Sequence, residues 1–306
     1  MSSSKAKGYV ALLATSTIWG TTWVASKIGV GEIPALQMAY IRQFFAGIIF
    51  VSFFLFFKKA ALPTAKQFLW LFVMAIIMFV SANGLSTWGI KYIPAGLGSL
   101  IGALYPLSVV VIERLFFNSK KIPTVTFIGF FLGISGIAIV SYENAFNHTG
   151  PSFMFGIFLS IVAMLSWSAG TIFIARNKVD INPYFGVGWQ MLISSVILFA
   201  LTETTQPTVA FAAISLKVWL IIAFLVIFGS LVAFIAFIYS TKVLPTAIAS
   251  LYAYINPFVA MITAYFVINE KLSINILWGS IVTLAGVFLV NYSMKKNKPV
   301  IAENIE

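Results

Sequence analysis

The chain has 306 residues, 60% of them hydrophobic and only 9% charged. Polar groups that scarce cannot solvate a water-soluble domain, which excludes soluble enzymes and binding modules and points to a polytopic membrane protein. The net charge of +11 suggests a nucleic-acid partner, but the cations are scattered among loops and form no stripe, so no nucleic acid is expected.

Ten hydrophobic stretches reach the length needed to cross a hydrocarbon core: 9–28, 35–57, 67–90, 94–117, 123–142, 152–175, 183–202, 216–241, 245–268 and 273–293. In lipid each segment must satisfy its own backbone polar groups, so these are predicted helices. The alternation of a membrane β-barrel is absent. The fold class is therefore all-α.

The first span follows Lys5 and Lys7 in the order of a signal peptide, but Ser16, Thr17, Thr21 and Thr22 make a poor apolar region. It is read as a retained span. Trp19 falls near its middle. Membrane tryptophans favour the interface, where Trp70, Trp88, Trp219 and Trp278 are expected. An indole N–H within hydrocarbon needs an acceptor, so Trp19 and Thr22 line either a polar cavity or a helix contact.

The second span carries Arg42, roughly 12 Å along the helix from Pro34. A charge at that depth faces a cavity or a partner. It either attracts a substrate carboxylate or fixes helix packing. In the third span, Asn83 with Ser81 and Ser86 forms a polar patch, for a cavity or for an interhelical hydrogen bond.

The fourth span contains Pro106 near its middle. A proline there removes a donor and frees the carbonyl at Gly102. Gly98 and Gly102 form a small-xxx-small face that allows close helix approach, and Tyr105 is expected to point at the site. Of the acids, Glu113 alone falls within a span, beside Arg114. It is a candidate for ion coupling, with local pairing as the alternative. In the fifth span, Gly129 and Gly133 read as packing.

A polar linker at 143–151, with the lone His148, separates two halves. The sixth span places Trp167 near its middle, flanked by Ser166, Ser168 and Thr171. Gln190 of the seventh stands where Arg42 stands in the second. Ala210–Ala213 is expected to rest on the membrane surface. The ninth span repeats the features of the fourth, with Ala249 and Ala253 as small residues, Tyr252, Tyr254 and Asn256 as lining, and Pro257 as the kink. Glu270 is expected to cap the ninth helix. The tail, 294–306, is polar.

The two halves repeat one another. Ile93-Pro94-Ala95-Gly96 leads to Tyr105-Pro106, and Leu244-Pro245-Thr246-Ala247 leads at the same spacing to Asn256-Pro257. The same offset places Trp88 on Tyr239, Lys91 on Lys242 and Ser99 on Ser250. One residue's slip later, Gly129 matches Gly279 and Gly136 matches Gly286. Residues 1–142 and 152–293 thus form two five-helix repeats, and an odd number of spans inserts the second copy inverted. On this topology Lys5, Lys7, Lys58, Lys59, Lys66, Lys120, Lys121, Arg176, Lys178, Lys242, Lys295, Lys296 and Lys298 share one side. Lys27, Lys91, Lys217 and Lys271 lie opposite. The positive-inside rule makes both termini cytoplasmic.

Trp19-Gly20, Tyr40 to Arg42, Gln190-Met191-Leu192, and Asn256-Pro257 followed by Asn269-Glu270-Lys271-Leu272 are together similar to the EamA family of the drug/metabolite transporter superfamily. The resemblance covers residues 8–293. Ser119 departs from it, where the first repeat often carries a glutamate matching Glu270. The resemblance implies an inner-membrane carrier of small metabolites, often an exporter of amino acids. It also implies peripheral fifth and tenth helices, available for a homodimer contact.

The absence of cysteine excludes disulfides and thiolate metal sites, and no metal or cofactor is expected. A lipid-modifying enzyme would need a constellation of His, Asp, Glu or Cys at one membrane face; one histidine and scattered acids do not supply it. A scaffold or sensor subunit would need a docking loop or tail, and a channel would show rings of like residues. The reading is a secondary transporter for a small solute, working by alternating access around a midplane cavity. Its candidate lining is Trp19, Thr22, Arg42, Asn83, Tyr105, Trp167, Gln190, Tyr252 and Asn256, with hinges at Gly102, Pro106, Ala253 and Pro257.

Overall fold

A computed structural model describes residues 3–117, 123–147, 151–177 and 179–297. All regular structure among them is helical. The helices are α1 (Ser3–Gly29), α2 (Ala35–Phe57), α3 (Ala65–Gly89), α4 (Ala95–Ala103), α5 (Tyr105–Phe116), α6 (Thr124–Asn147), α7 (Pro151–Arg176), α8 (Pro183–Thr205), α9 (Leu216–Val243), α10 (Thr246–Ala249), α11 (Tyr252–Ile268) and α12 (Ile274–Asn297). Ser119, Lys120, Lys121, His148, Lys178 and Lys298 lie outside the described residues. The linker expected at 143–151 is shorter than the sequence suggests, because α6 continues to Asn147 and α7 starts at Pro151.

Among the described residues eight helical stretches are long and apolar enough to cross a membrane, with α4 and α5 counted together. Shorter than these, α11 is also apolar. The 27-residue α1 is long enough, but Thr15, Ser16, Thr17, Thr21 and Thr22 dilute its hydropathy. Exposed Phe44, Phe45, Phe131, Phe158, Phe266 and Phe288 give the molecule an apolar exterior. Such a surface suits lipid and would drive association in water.

Local chemistry sets the helix ends. Thr64 and Gln67 form a capping box at α3, which satisfies otherwise orphaned N–H groups. Asn182 accepts from the backbone N–H groups of Tyr184 and Phe185, and Pro183 opens α8. Asn269 closes α11 in the left-handed conformation, φ 54°. Three helices contain π-helical turns, at Phe53–Phe57, Ala75–Gly84 and Leu225–Val232. A π turn shifts the hydrogen-bond register and presents carbonyls to partners other than the helix itself.

Glycine contacts knit the bundle. α2 lies against α8, where a Cβ on Gly47 would fall 2.9 Å from Gly188 O. α6 lies against α12, with Gly129 against Gly286 and Gly136 against Gly279. The packing role expected for Gly129 holds, and Gly133 packs on Leu104 and Leu107. α1 packs on α9 and α11, while α7 packs on α3, α4 and α5.

The bundle has two distinct ends. One gathers Lys27, Glu270 and the ion pair Glu32–Lys217, 2.6 Å. At this end Gln37 bonds both backbone groups of Val209, tying the 206–215 connection to α2. Phe211 there is exposed and stacks on Trp219. The other end carries the pair Arg176–Glu113, 3.2 Å.

Candidate functional site

A cavity of about 180 Å³ lies inside the bundle, lined by α1, α2, α3, α4, α5, α7, α9 and α11. It has room for roughly a dozen water-sized groups. Of the nine expected lining residues, eight surround this cavity: Trp19, Thr22, Arg42, Asn83, Tyr105, Trp167, Tyr252 and Asn256. Gln190 does not. It is buried on α8, and α8 docks along α2 without reaching the cavity wall.

An aromatic cluster forms one wall. Trp19 meets Trp167 edge to face at 6.2 Å, Tyr252 at 5.5 Å and Phe234 at 5.2 Å between centroids. Tyr105 stacks on Tyr252 at 5.9 Å. The acceptor that a buried indole requires is supplied from α9, where Gly229 O lies 3.0 Å from Trp19 Nε1. Trp23 was not singled out in the sequence, although it follows Trp19 by one helical turn and so shares its face. Its ring lies across the small face of α4, and a Cβ on Gly98 or Gly102 would meet it at 3.0 or 3.4 Å. The small-xxx-small pair therefore accommodates an indole of α1.

Arg42 is 7% exposed. Its Nε donates to Ser230 Oγ at 2.8 Å. Among the described residues it has no carboxylate partner, so a cation stands at the cavity without an internal counter-ion. Charges in such places are costly unless a partner arrives.

Asn83 does both things its position allowed. Its side chain accepts from Gln43 Nε2 at 3.1 Å, linking α3 to α2, and the residue lines the cavity. Gln43 also donates to Phe79 O of the α3 π turn and accepts from Ser194 of α8. Asn256 also belongs to the lining, and its Oδ1 is buried without a hydrogen-bond partner.

The hinge residues do not behave alike. The fourth span is interrupted at Leu104, and Pro106 sits in the first turn of α5, where its missing N–H costs nothing. Pro257 instead lies inside α11. The interruption of the ninth span comes earlier, at Ser250 and Leu251. Gly102 and Ala253 line the cavity, while Pro106 and Pro257 are buried and do not line it.

Glu270 does more than cap the end of its own helix. Its backbone N–H closes α11 on Ala264 O at 3.2 Å, and its carboxylate accepts from Ala95 N at 2.8 Å and Gly96 N at 3.4 Å, at the start of α4. Lys27 Nζ donates to Ile90 O, Lys91 O and Ile93 O at 2.9, 3.2 and 2.8 Å. An anion thus holds the N-terminal amides of α4, in the favourable dipole sense, and a cation holds the carbonyls of the turn that follows α3. Glu113 does not line the cavity and is paired across helices with Arg176, whose guanidinium lies 3.9 Å over Phe117. Among the described residues no three His, Cys, Asp or Glu side chains gather as a metal site would require.

The model of the EamA-like transporter family matches the chain twice, at residues 6–142 and 154–292. The uncharacterized inner membrane transporter YedA of Escherichia coli K12 is 28% identical over 300 residues, covering 97% of this chain and 95% of that protein. The uncharacterized transporter YoaV of Bacillus subtilis is 23% identical, covering 95% and 99%. The WAT1-related protein At3g02690, chloroplastic, of Arabidopsis thaliana is 29% identical, covering 93% and 69%. A crystal structure at 14% identity aligns with a TM-score of 0.63 over 98% of this chain and 100% of that one, a likeness of fold alone. The chain belongs to the EamA-like transporter family and is a multi-pass membrane protein.

Proposed function

We propose that this EamA-family transporter is a secondary carrier of a small carboxylate-bearing metabolite, such as an amino acid, which it exports across the cytoplasmic membrane by alternating access. One observation carries the reading: Arg42, buried at the cavity, has no acidic partner among the described residues. A substrate carboxylate supplies the missing charge and takes up the guanidinium donors. An amino acid's ammonium finds the unpartnered Asn256 Oδ1 and the faces of Trp19 and Tyr252, where cation–π attraction applies.

Ten spans in two inverted five-helix repeats, with both termini cytoplasmic, give this site its motion. The packing supports the repeat. Exchanging the halves sends α1 to α7, α3 to α9, and α4–α5 to α10–α11. The contacts of α1 with α9 and α11 then become those of α7 with α3, α4 and α5. With the Lys27 end outside, the cavity runs outward along Ser26, Ile90 and Gly98. The aromatic cluster of Trp19, Tyr105, Tyr252 and Phe237 closes the inner side. Rocking of the halves about this cluster exchanges the open side, and Arg176–Glu113 separates when the inner end opens. Because α6 and α12 turn their glycines to each other, a homodimer would use their outer faces, Phe131 and Phe288 among them.

The test is flux into proteoliposomes of labelled amino acids and other small carboxylates. At least one should accumulate against a preloaded partner and fail to do so with Arg42→Gln, while the variant remains folded in the membrane. Well-folded protein that moves none of them would sink the carrier reading in favour of a scaffold or sensor. Transport that survives Arg42→Gln would make Arg42 structural.

A further inference from the structure

The π turn of α9 is where the cavity's cation and its central indole are both anchored. Ala233 N–H reaches back five residues to Phe228 O and passes over Gly229 O. The carbonyl so released accepts from Trp19 Nε1. The next residue, Ser230, is 1% exposed, and its hydroxyl accepts from Arg42 Nε. Gly229 completes the fit, because a Cβ there would stand 2.8 Å from Thr22 Cγ2 and 3.4 Å from Arg42 Nη2.

A guanidinium presents a carboxylate with two different forks, one from Nε with Nη2 and one from the two terminal nitrogens. Here Nε is occupied. The terminal nitrogens have no hydrogen bond within the protein among the described residues, although the residue is more than nine-tenths buried and lines the cavity. We propose that Ser230 is the positioning residue of the site, holding Arg42 so that its terminal pair faces the cavity as an end-on fork for a carboxylate. This rests on the carboxylate reading above and deepens it. Ser230 acts through Arg42 and sets selectivity for a planar oxyanion over a neutral isostere. Gly229 keeps the space in which the guanidinium lies.

The test uses full-length protein in detergent and a set of small monocarboxylates with their matching primary amides, from acetate and acetamide to 3-phenylpropionate and 3-phenylpropionamide. Affinity is read from ligand-induced thermal stabilisation, which rises with saturation of the folded state. The wild type should favour acids over amides. Ser230→Ala should lower the acid-to-amide ratio about tenfold, the size of one hydrogen bond to a charged group, with amide affinity unchanged. Ser230→Thr, which keeps the hydroxyl, should restore the ratio. In an Arg42→Lys background, where no fork exists, Ser230→Ala should have no effect on it. An unchanged ratio in Ser230→Ala would overturn the proposal, as would equal losses for acid and amide, which mark a structural role. A wild type that does not discriminate acids from amides would overturn the carboxylate reading itself and this inference with it.

Discussion

Trp19 and Trp167 meet edge to face, their planes at 90° and their centroids 6.2 Å apart. One belongs to each of the two stretches that match the family, and both line the cavity. The halves of the molecule thus touch at the site itself. Such aromatic pairs contribute about 0.5–1.5 kcal/mol beyond their buried area, and the bond from Trp19 to Gly229 O fixes one ring from a third element.

Replacing Trp19 with Phe keeps a ring against Trp167 but leaves Gly229 O without its side-chain donor. The loss of a buried hydrogen bond costs about 1–3 kcal/mol. Trp19→Ala also opens a cavity in the aromatic wall and costs about 3–5 kcal/mol. Thermal unfolding in a single detergent should therefore rank wild type above Trp19→Phe, and Trp19→Phe above Trp19→Ala. Equal midpoints for wild type and Trp19→Phe would show that the indole N–H contributes nothing.

Much of this site was legible in the sequence because its chemistry is out of place there. A cation within an apolar span, as at Arg42, and an indole away from the interface, as at Trp19 and Trp167, announce themselves by composition alone. Gly229 and Ser230 did not, because their role depends on a π register that contacts across the bundle decide. Gln190 misled for a related reason. The repeat assigns it the place of Arg42, but α8 packs on α2 and α3 away from the cavity wall, which no pattern along the chain records. The matched prolines hid a difference too, since one span is interrupted at Leu104 and the other at Ser250 and Leu251. Sequence matching locates equivalent residues and does not oblige them to share a conformation. Glu270 reads as a cap for its own helix, which its backbone N–H provides, but its carboxylate also holds α4, a partner remote in the chain.

Lys27 and Glu270 grip the 90–96 turn from its two sides, and their removal should loosen it. Glu270→Gln weakens the charge on the amides of Ala95 and Gly96 by about 1–2 kcal/mol, the scale of a partly buried helix-terminus interaction. The chain contains no cysteine, so Tyr92→Cys provides a single thiol on that turn. Maleimide labelling of Tyr92→Cys should accelerate several-fold when Glu270→Gln or Lys27→Met is added. Labelling at the parent rate in both would mean that the turn is held by its packing alone.

Glycines that look equivalent in an apolar helix should respond in opposite ways to a methyl group. A Cβ at Gly129 would fall 2.6 Å from Gly286 O, backbone that cannot move aside, whereas one at Gly102 meets Trp23 at 3.4 Å, ordinary contact. Gly129→Ala should cost about 1–3 kcal/mol by overpacking the α6–α12 contact. Gly102→Ala should be neutral, or stabilising by up to about 1 kcal/mol from helix propensity. Unfolding midpoints compare the two directly, and a tolerant Gly129→Ala would show that α6 and α12 can separate without loss.

Glu113 tests whether the pair at the Arg176 end belongs to binding or to motion. Its carboxylate is outside the cavity lining, so Glu113→Gln should leave the affinity for small carboxylates within about twofold of wild type, as distance from the ligand demands. The stability cost should also be small. Glu113 is 9% and Arg176 35% exposed on the side chain, so Glu113→Gln removes the buried charge and leaves behind the one open to solvent, where a lost pair costs about 0–1 kcal/mol. What should change is turnover. In the alternating-access reading this pair parts each time the inner end opens, so removing its charge lowers that barrier without altering the site. Proteoliposome exchange measured beside equilibrium binding separates the two effects. A raised exchange rate at constant affinity assigns the pair to closure of that end. A lost response to an imposed pH gradient, at constant affinity, would instead assign Glu113 to proton coupling. A large fall in affinity would contradict both, because it would require Glu113 to reach the substrate from outside the cavity wall.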